Sequence, residues 1–198
     1  MKQRLCADTV VELIIQMDAW NAGVRGQGIN PLHGYIQSIG HTPFHVVCFT
    51  ERQVNVFVSA CRNKIGCVLH IDSTGSVIQK IPNQKDPLLY SLLLGNQGIP
   101  IMEFITTDHR SISISAKLDF FMAACRDHAN NGRPVLPSMV VMDFSYATIN
   151  AVLICFNKMS LTAYLHATYE MLMSGKNTKF LVVIALCCAH VMKAISNR

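Results

Sequence analysis

Residues 67–75 read Cys-Val-Leu-His-Ile-Asp-Ser-Thr-Gly, and residues 139–143 read Met-Val-Val-Met-Asp. Each stretch is a short, continuous apolar run followed by an aspartate, a pattern typical of a buried strand that ends in a polar residue. In a mixed sheet the central strands lie side by side, so carboxylates at their ends converge on one point. The connection between these two stretches contains the helix predicted at 113–129, the kind of crossover that parallel neighbours require, so we expect the two strands to be parallel neighbours. Asp72 and Asp143 should then lie close together at one edge of the sheet.

Two acids placed in this way form a candidate site for Mg²⁺. A hard divalent cation binds carboxylate oxygens and keeps water molecules that a substrate phosphate can replace. Taken singly, each acid has a simpler interpretation, since Asp72 suits a turn before Ser-Thr-Gly and Asp143 lies two residues ahead of the potential helix cap Ser145. Their joint placement after apolar strands favours the metal site. Most such sites need a third acid.

The sequence on either side of these strands predicts further strands and helices. Apolar spacing, capping signals and Gly or Pro breaks predict strands at 44–49, 67–71, 76–81, 88–94, 99–106, 139–142 and 180–186, and helices at 8–20, 51–61, 113–129, 146–156, 161–173 and 187–196. The sequence Thr50-Glu51-Arg52-Gln53 has the form of a capping box at the start of the second of these helices. The glycine-rich segment 21–42 is predicted to be a loop. The expected fold class is α/β, with a mixed sheet in which three antiparallel strands are followed by strands that alternate with helices.

Composition limits the class of protein. A chain of 198 residues with 51% hydrophobic content can bury one substantial core and is too apolar to be disordered. Its net charge of +5 comes from scattered residues, so nucleic-acid binding is permitted without being indicated. The eight cysteines come with no secretory signal pattern and predict reduced thiols. The most apolar run, 181–192, is too short to span a bilayer. We expect an intracellular, non-membrane protein.

Three motifs together resemble a known family. They are Val68-Leu69-His70-Ile71-Asp72-Ser73-Thr74-Gly75, Val140-Val141-Met142-Asp143-Phe144-Ser145 and Cys187-Cys188-Ala189-His190. In this order and spacing they resemble the catalytic core of cut-and-paste transposases of the MULE type and of the related KDZ group (Kyakuja, Dileera and Zisupton). The resemblance implies a ribonuclease-H-like fold over residues 44–198, with 1–43 as a leading helix and loop segment.

The resemblance also implies a function. The first two acids of the family's DDE triad stand where Asp72 and Asp143 stand here, so both are expected to be catalytic ligands of Mg²⁺ or Mn²⁺ in DNA strand cleavage and transfer. DNA, bound weakly and without sequence preference, is the implied partner, and the nucleus is the implied location. Cys187 and His190 match the family's Cys-x-x-His signature, and one helical turn would place both on one face. A zinc site would need two more ligands, so we interpret Cys187 as a core thiol and His190 as a buried polar group rather than as zinc ligands. For the Cys-x-x-His signature itself, we favour a role in shaping the active site.

The chain departs from the family pattern at the third acid. The resemblance implies a catalytic Glu beyond the Cys-x-x-His signature, and no Glu follows His190 in the sequence. Glu103 lies on an early predicted strand and Glu170 in a helix ahead of the last strand, so neither is a replacement. The family's amino-terminal DNA-binding finger also has no counterpart. We expect a fragment, a truncated gene product or a domesticated remnant that is inactive by itself. The alternative is a non-catalytic nucleic-acid or protein interaction module of the same fold.

Other groups of potential ligands show weaker patterns. They are His41 with His45 and Cys48, Cys61 with Cys67, and Cys125 with His128. None has the paired Cys-x-x-Cys form of a strong zinc motif, so we interpret them as loop and core residues. A thiol hydrolase would need a cysteine and a histidine brought together with an orienting group, and no cysteine at a helix start or sharp turn indicates one.

Overall fold

The computed structural model describes residues 34–75, 87–129, 135–175 and 181–196, together with 11–12, 14–15 and 17–19. The last three groups are helical, in agreement with the helix predicted at 8–20. The strand predicted at 76–81 lies outside the described residues.

From residue 34 onward, the described residues form seven strands and five α-helices. In chain order they are β1 (Ile36–His41), β2 (Phe44–Cys48), α1 (Glu51–Arg62), β3 (Val68–Gly75), β4 (Leu89–Leu94), β5 (Pro100–Thr106), α2 (Ser111–Ala129), β6 (Met139–Met142), α3 (Tyr146–Val152), α4 (Leu161–Ser174), β7 (Val183–Leu186) and α5 (Cys188–Ser196). A short 3-10 turn, Asn96–Gly98, joins β4 to β5, and a π-helical turn, Leu153–Asn157, continues α3.

All seven strands belong to one sheet, in the order β1-β2-β5-β4-β3-β6-β7. The first five strands in this order, β1, β2, β5, β4 and β3, pair with one another in antiparallel fashion. Strand β6 is parallel to β3, and β7 is parallel to β6. Parallel neighbours need a crossover connection. Helix α2 lies in the connection that leads to β6, and α3 and α4 lie between β6 and β7. The chain is therefore an α/β protein with a mixed sheet, as the sequence predicts.

Strand β1 corrects the prediction of a loop over 21–42. It pairs with β2, and Gly40 stands opposite His45 in that pairing. A Cβ atom on residue 40 would collide with the His45 ring, so this glycine permits a close approach within the sheet. The loop prediction fails over β1 because the partner strand stabilises it, while its own sequence has low strand propensity. The sheet thus begins ahead of residue 44.

The core lies against one face of the sheet. Leu69 and Ile71 of β3 and Met142 of β6 are buried together with Phe57 of α1 and Phe121 of α2. The ring centroids of Phe57 and Phe121 are 5.3 Å apart. An aromatic contact therefore joins helices α1 and α2 within the core.

Two helices begin at the capping residues that the sequence indicates. Thr50 Oγ1 accepts a hydrogen bond from Gln53 N at 3.3 Å, and Gln53 Oε1 accepts one from Thr50 N at 2.7 Å. This reciprocal pair is a capping box. Ser145 Oγ accepts a hydrogen bond from Thr148 N at 3.4 Å at the start of α3. Both predicted helix starts are confirmed.

The apolar run at 181–192 divides between β7 and the first turns of α5. Within the parts of the chain that the structure describes, no helix has both the length and the apolar character needed to cross a membrane.

Asp108 holds the turn between β5 and α2. Its carboxylate accepts hydrogen bonds from Arg110 N at 3.0 Å and from the Arg110 guanidinium, at 2.6 Å for the shortest. The guanidinium lowers the pKa of Asp108 from 3.8 to about 2. A turn that leads directly into the longest described helix is therefore stabilised by a charged acceptor.

Asp108→Ala is expected to lower the free energy of unfolding by about 1–2 kcal/mol near neutral pH, because a backbone N–H and a guanidinium lose their acceptor. Since the folded-state pKa is lowered, this stabilisation is present above pH 3.8 and is lost as the pH falls through about 2. Urea denaturation across this range measures the difference. Arg110→Ala, which keeps the backbone bond, should cost less, and a difference independent of pH would contradict the role of the charge.

Candidate functional site

The two predicted acids lie side by side at one edge of the sheet. The last paired residues of β3 and β6 are Ile71 and Met142. The next positions in this parallel register are Asp72 and Asp143, which places them on adjacent strands at the same level. The prediction that the two acid-bearing strands are parallel neighbours is confirmed.

Asp72 lies inside β3, which corrects the prediction that its strand ends there. Beyond Ile71 the pairing with β6 stops, but β3 continues to pair with β4 as far as Gly75. Ser73 contributes to this continuation, because its hydroxyl lies 2.8 Å from that of Ser91 on β4. Asp72 is exposed, on the face of the sheet opposite the buried Ile71. The turn expected at Ser-Thr-Gly is replaced by three more residues of strand.

Asp143 has the more unusual environment. It follows β6 directly, and its Oδ1 atom is buried without a hydrogen-bond partner among the described residues. Burial raises the pKa of Asp143, the nearby His190 lowers it, and the Asp72 carboxylate raises it. Asp143 is therefore close enough to both residues to interact with them electrostatically. A buried carboxylate oxygen without a donor favours the approach of a cation or a proton.

Cys187 and His190 reach the same edge through β7 and α5. Cys187 N donates a hydrogen bond to Met142 O at 2.7 Å, which ties the residue after β7 to the end of β6. Val191 N donates to Cys187 O at 3.1 Å, so the first turn of α5 contains His190. This turn brings His190 within electrostatic range of Asp143. The Cys-x-x-His segment thus lies beside the second acid. The Cys187 side chain is half-buried, but His190 is exposed, which corrects the prediction of a buried histidine, because the first turn of α5 faces solvent at this position.

Asp72 and Asp143 are the residues of this edge that could hold a divalent metal ion. The unpartnered Oδ1 of Asp143 and the neighbouring carboxylate of Asp72 form an anionic pair, the donor set that Mg²⁺ and Mn²⁺ prefer. These residues fit such an ion. Over the described parts of the chain, no three His, Cys, Asp or Glu side chains are grouped so that they could hold a metal ion together.

The two glutamates considered from the sequence lie elsewhere. Glu103 on β5 is in register with Leu92 on β4, which is itself in register with Asp72. One whole strand therefore separates Glu103 from Asp72, a distance of about 10 Å between backbones. The Tyr90 hydroxyl donates a hydrogen bond to Glu103. Glu170 on α4 lies 3.4 Å from the ring of His166, one helical turn earlier.

The weaker ligand groups are brought together only in part. His41 Nδ1 contacts the Thr42 hydroxyl at 2.9 Å, and His45 Nδ1 contacts the Pro43 carbonyl at 3.2 Å, so both rings turn towards their own hairpin. His128 instead contacts Asn55 on α1. Cys61, by contrast, interacts electrostatically with both Cys67 and Cys125, and all three belong to the core or pack against it.

Lys117 is a buried charged residue that the sequence did not single out. It is 6% exposed, and its Nζ donates hydrogen bonds to Ser113 O at 3.0 Å and to Ser113 Oγ at 2.8 Å. Burial lowers the pKa of Lys117, and the negative charge of Asp108 raises it. Helical spacing alone places Lys117 near an apolar face, but only the packing of α2 shows that the amino group itself is covered.

These observations define the class of protein as a mixed-sheet α/β domain with two aspartates in register on adjacent parallel strands. The chain is 29% identical over 174 residues to the "120.7 kDa protein in NOF-FB transposable element" of Drosophila melanogaster. The match covers 84% of this chain and 16% of that protein. No family model matches the chain, and no solved structure matches it. The distant similarity indicates a transposon-derived origin.

Proposed function

We propose that this chain is a ribonuclease-H-like domain derived from a MULE- or KDZ-type transposase, with Asp72 and Asp143 as ligands of a catalytic divalent metal ion. Its ancestral activity is metal-dependent cleavage and transfer of DNA strands. The observation that carries the proposal is the parallel pairing of β3 with β6, which leaves both acids at one level of one sheet edge. The similarity to a transposable-element protein supports the same origin.

The strand arrangement agrees with what the family resemblance implies. Three successive strands, β3, β4 and β5, pair in antiparallel fashion, and β6 and β7 then add on the other side of β3 in parallel. The acid-bearing β3 is thereby central, with neighbours on both sides. Rigid central strands hold carboxylates in fixed positions better than loops do.

The residues of the site divide their roles in this proposal. Asp143 contributes its buried, unpartnered Oδ1, and Asp72 adds a second carboxylate from the exposed face. A divalent ion, when bound, supplies positive charge that stabilises the attacking and leaving oxygens of phosphoryl transfer. His190 places a ring near Asp143, and the Cys187 N–H bond to Met142 O fixes the start of its helix. The family pattern places the third acid beyond this segment.

The test measures Mn²⁺ binding by the purified 198-residue chain. Binding is detected by calorimetry or by the loss of the electron spin resonance signal of the free ion. Asp72→Asn and Asp143→Asn are each expected to weaken Mn²⁺ binding by about tenfold or more, because a neutral amide removes roughly 1.4 kcal/mol or more of charge interaction. Both substitutions nearly preserve side-chain size, so the fold should be retained.

Asp127→Asn is the matched control, because Asp127 is an exposed aspartate near the far end of α2. It should leave Mn²⁺ binding unchanged. Equal binding by the wild type and by the Asp72 and Asp143 variants would contradict the metal site. If the chain bound DNA but no Mn²⁺, the non-catalytic interaction module would be the better interpretation.

A further inference from the structure

Two aromatic side chains lie exposed directly after the second acid of the candidate site. Phe144 follows Asp143 in the chain, and Tyr146 is the first residue of α3. Both residues are 62% exposed, and their ring centroids are 5.4 Å apart. In the parts of the chain that the structure describes, the other ring pairs each include a core phenylalanine, Phe49 or Phe57. The Phe144–Tyr146 pair, by contrast, faces solvent and is accessible to a ligand.

The geometry of the pair leaves ring faces open. The two rings meet at an interplanar angle of 69°, edge against face. In such a pair the edge of one ring covers one face of the other, and the remaining faces stay uncovered by the pair itself. Ring faces are the surfaces on which unpaired nucleic-acid bases stack.

The backbone around the pair is held on both sides. On the side of the sheet, Cys187 N donates a hydrogen bond to Met142 O at 2.7 Å. On the side of the helix, Ser145 caps α3, and Asn150 Nδ2 donates a hydrogen bond to Tyr146 O at 2.9 Å. Because the backbone is already ordered, little of its conformational freedom is lost when a ligand binds.

The position of the pair limits the kind of ligand. Consecutive Cα atoms are about 3.8 Å apart, so Phe144 lies next to Asp143 at the edge of the sheet. A DNA strand that places a phosphate at the two acids brings the bases attached to it into the neighbourhood of the rings. Bases inside a duplex are stacked on one another, so only an unpaired base is free to stack on a protein ring.

We propose that Phe144 and Tyr146 form a stacking platform for unpaired bases of single-stranded DNA. The proposal rests on the function proposed for Asp72 and Asp143, and it specifies the substrate as a strand with unpaired bases beside the phosphate at the acids. The exposure of both rings, their open faces and their position directly after Asp143 carry it. Since every base has a π-face, the platform is insensitive to sequence.

Single-stranded DNA fits this surface better than an apolar protein partner does. The net charge of +5 favours a polyanion. Aromatic side chains bury at most about 250 Å² each, so two rings alone fall short of the roughly 800 Å² that each partner buries in a stable protein complex. Stacking of a base needs only one accessible ring face.

The experiment measures fluorescence anisotropy of a labelled oligothymidine and of a duplex of the same length, at low salt in EDTA, which excludes metal binding. Phe144→Ala and Tyr146→Ala are each expected to weaken single-strand binding at least about fivefold, the lower end for the loss of one aromatic–base stack. Duplex binding should stay within about twofold of the wild type, because paired bases do not reach the rings and no charge is removed.

Conservative and distant variants control for indirect effects. Phe144→Tyr and Tyr146→Phe keep a ring face at each position and should bind the single strand as the wild type does. Tyr169→Ala is the matched control, because Tyr169 on α4 is 63% exposed, and it should leave binding of both DNA forms unchanged. Since the substituted side chains are exposed, the variants should fold, which circular dichroism verifies.

Three results would each overturn the platform. They are unchanged single-strand affinity in both alanine variants, which would assign the rings to a contact with another protein, equal losses of single-strand and duplex affinity, and conservative variants that bind as weakly as the alanine variants. Mn²⁺ binding separates this proposal from the metal site. A wild-type chain that binds no Mn²⁺ but binds the single strand through its rings would contradict the metal site and support the platform. Mn²⁺ binding together with ring-independent binding of the single strand would contradict the platform alone.

Discussion

Phe121→Ala is expected to lower the free energy of unfolding by about 3–5 kcal/mol, the range for removing a fully buried phenylalanine ring. Phe121 is 2% exposed, and its ring contacts Phe49 at 5.1 Å and Phe57 at 5.3 Å between centroids. The substitution removes apolar contacts to α1 and to the segment after β2 at the same time, and it leaves a cavity that the sheet cannot fill. Urea denaturation monitored by circular dichroism measures the loss.

Phe120→Ala is the matched control, since Phe120 is the neighbouring residue on the same helix but is 44% exposed. Its ring also approaches Phe49, with centroids 5.9 Å apart, so one aromatic contact is lost in both variants. The exposed ring should cost about 1 kcal/mol, because most of its surface remains in water. Equal losses for the two substitutions would show that the core is not organised around Phe121.

DNA binding by this chain is expected to be weak, insensitive to sequence and strongly reduced by salt. The net charge of +5 comes from residues spread along the sequence, which provide contacts to phosphate without a concentrated basic surface. If about three phosphates are neutralised, raising the salt from about 50 mM to about 200 mM should lower the association constant roughly 40-fold. Fluorescence anisotropy with two unrelated duplexes at both salt concentrations measures this effect.

Equal affinity for the two duplexes is the internal control for sequence independence. Tight binding to one duplex at physiological salt would contradict this expectation, because specific recognition requires contacts with base edges that persist when phosphate contacts are screened. A salt dependence close to zero would argue against nucleic acid as the partner.

Local pattern was sufficient for several features of this fold. The four apolar residues of β6 and the capping box of α1 depend on contacts within a few residues, and both were predicted with their observed limits. The parallel pairing of β3 with β6 was also predicted, because a long helix in the connection is the kind of crossover that parallel neighbours require. The proximity of Asp72 and Asp143 follows from that pairing.

Other features arise from contacts between residues distant in sequence. Strand β1 forms because β2 supplies its hydrogen bonds, and the continuation of β3 beyond Asp72 depends on β4 in the same way. Residues 36–41, at the end of a glycine-rich segment, and the Ser-Thr-Gly sequence at 73–75 carry the signals of loops and turns, so propensity alone predicts the wrong structure for both.

The environment of individual side chains was determined by tertiary structure alone. Sequence shows that Asp143 follows a strand, but only packing leaves its Oδ1 buried without a donor. Cys125 is likewise more than fifty residues away from Cys61 in the sequence, and only the docking of α2 brings it within electrostatic range of Cys61. Residue type and local order therefore determined which chemical groups this protein carries. The long-range packing of helices on the sheet determined which of those groups meet, because burial and contact depend on residues far away in the sequence.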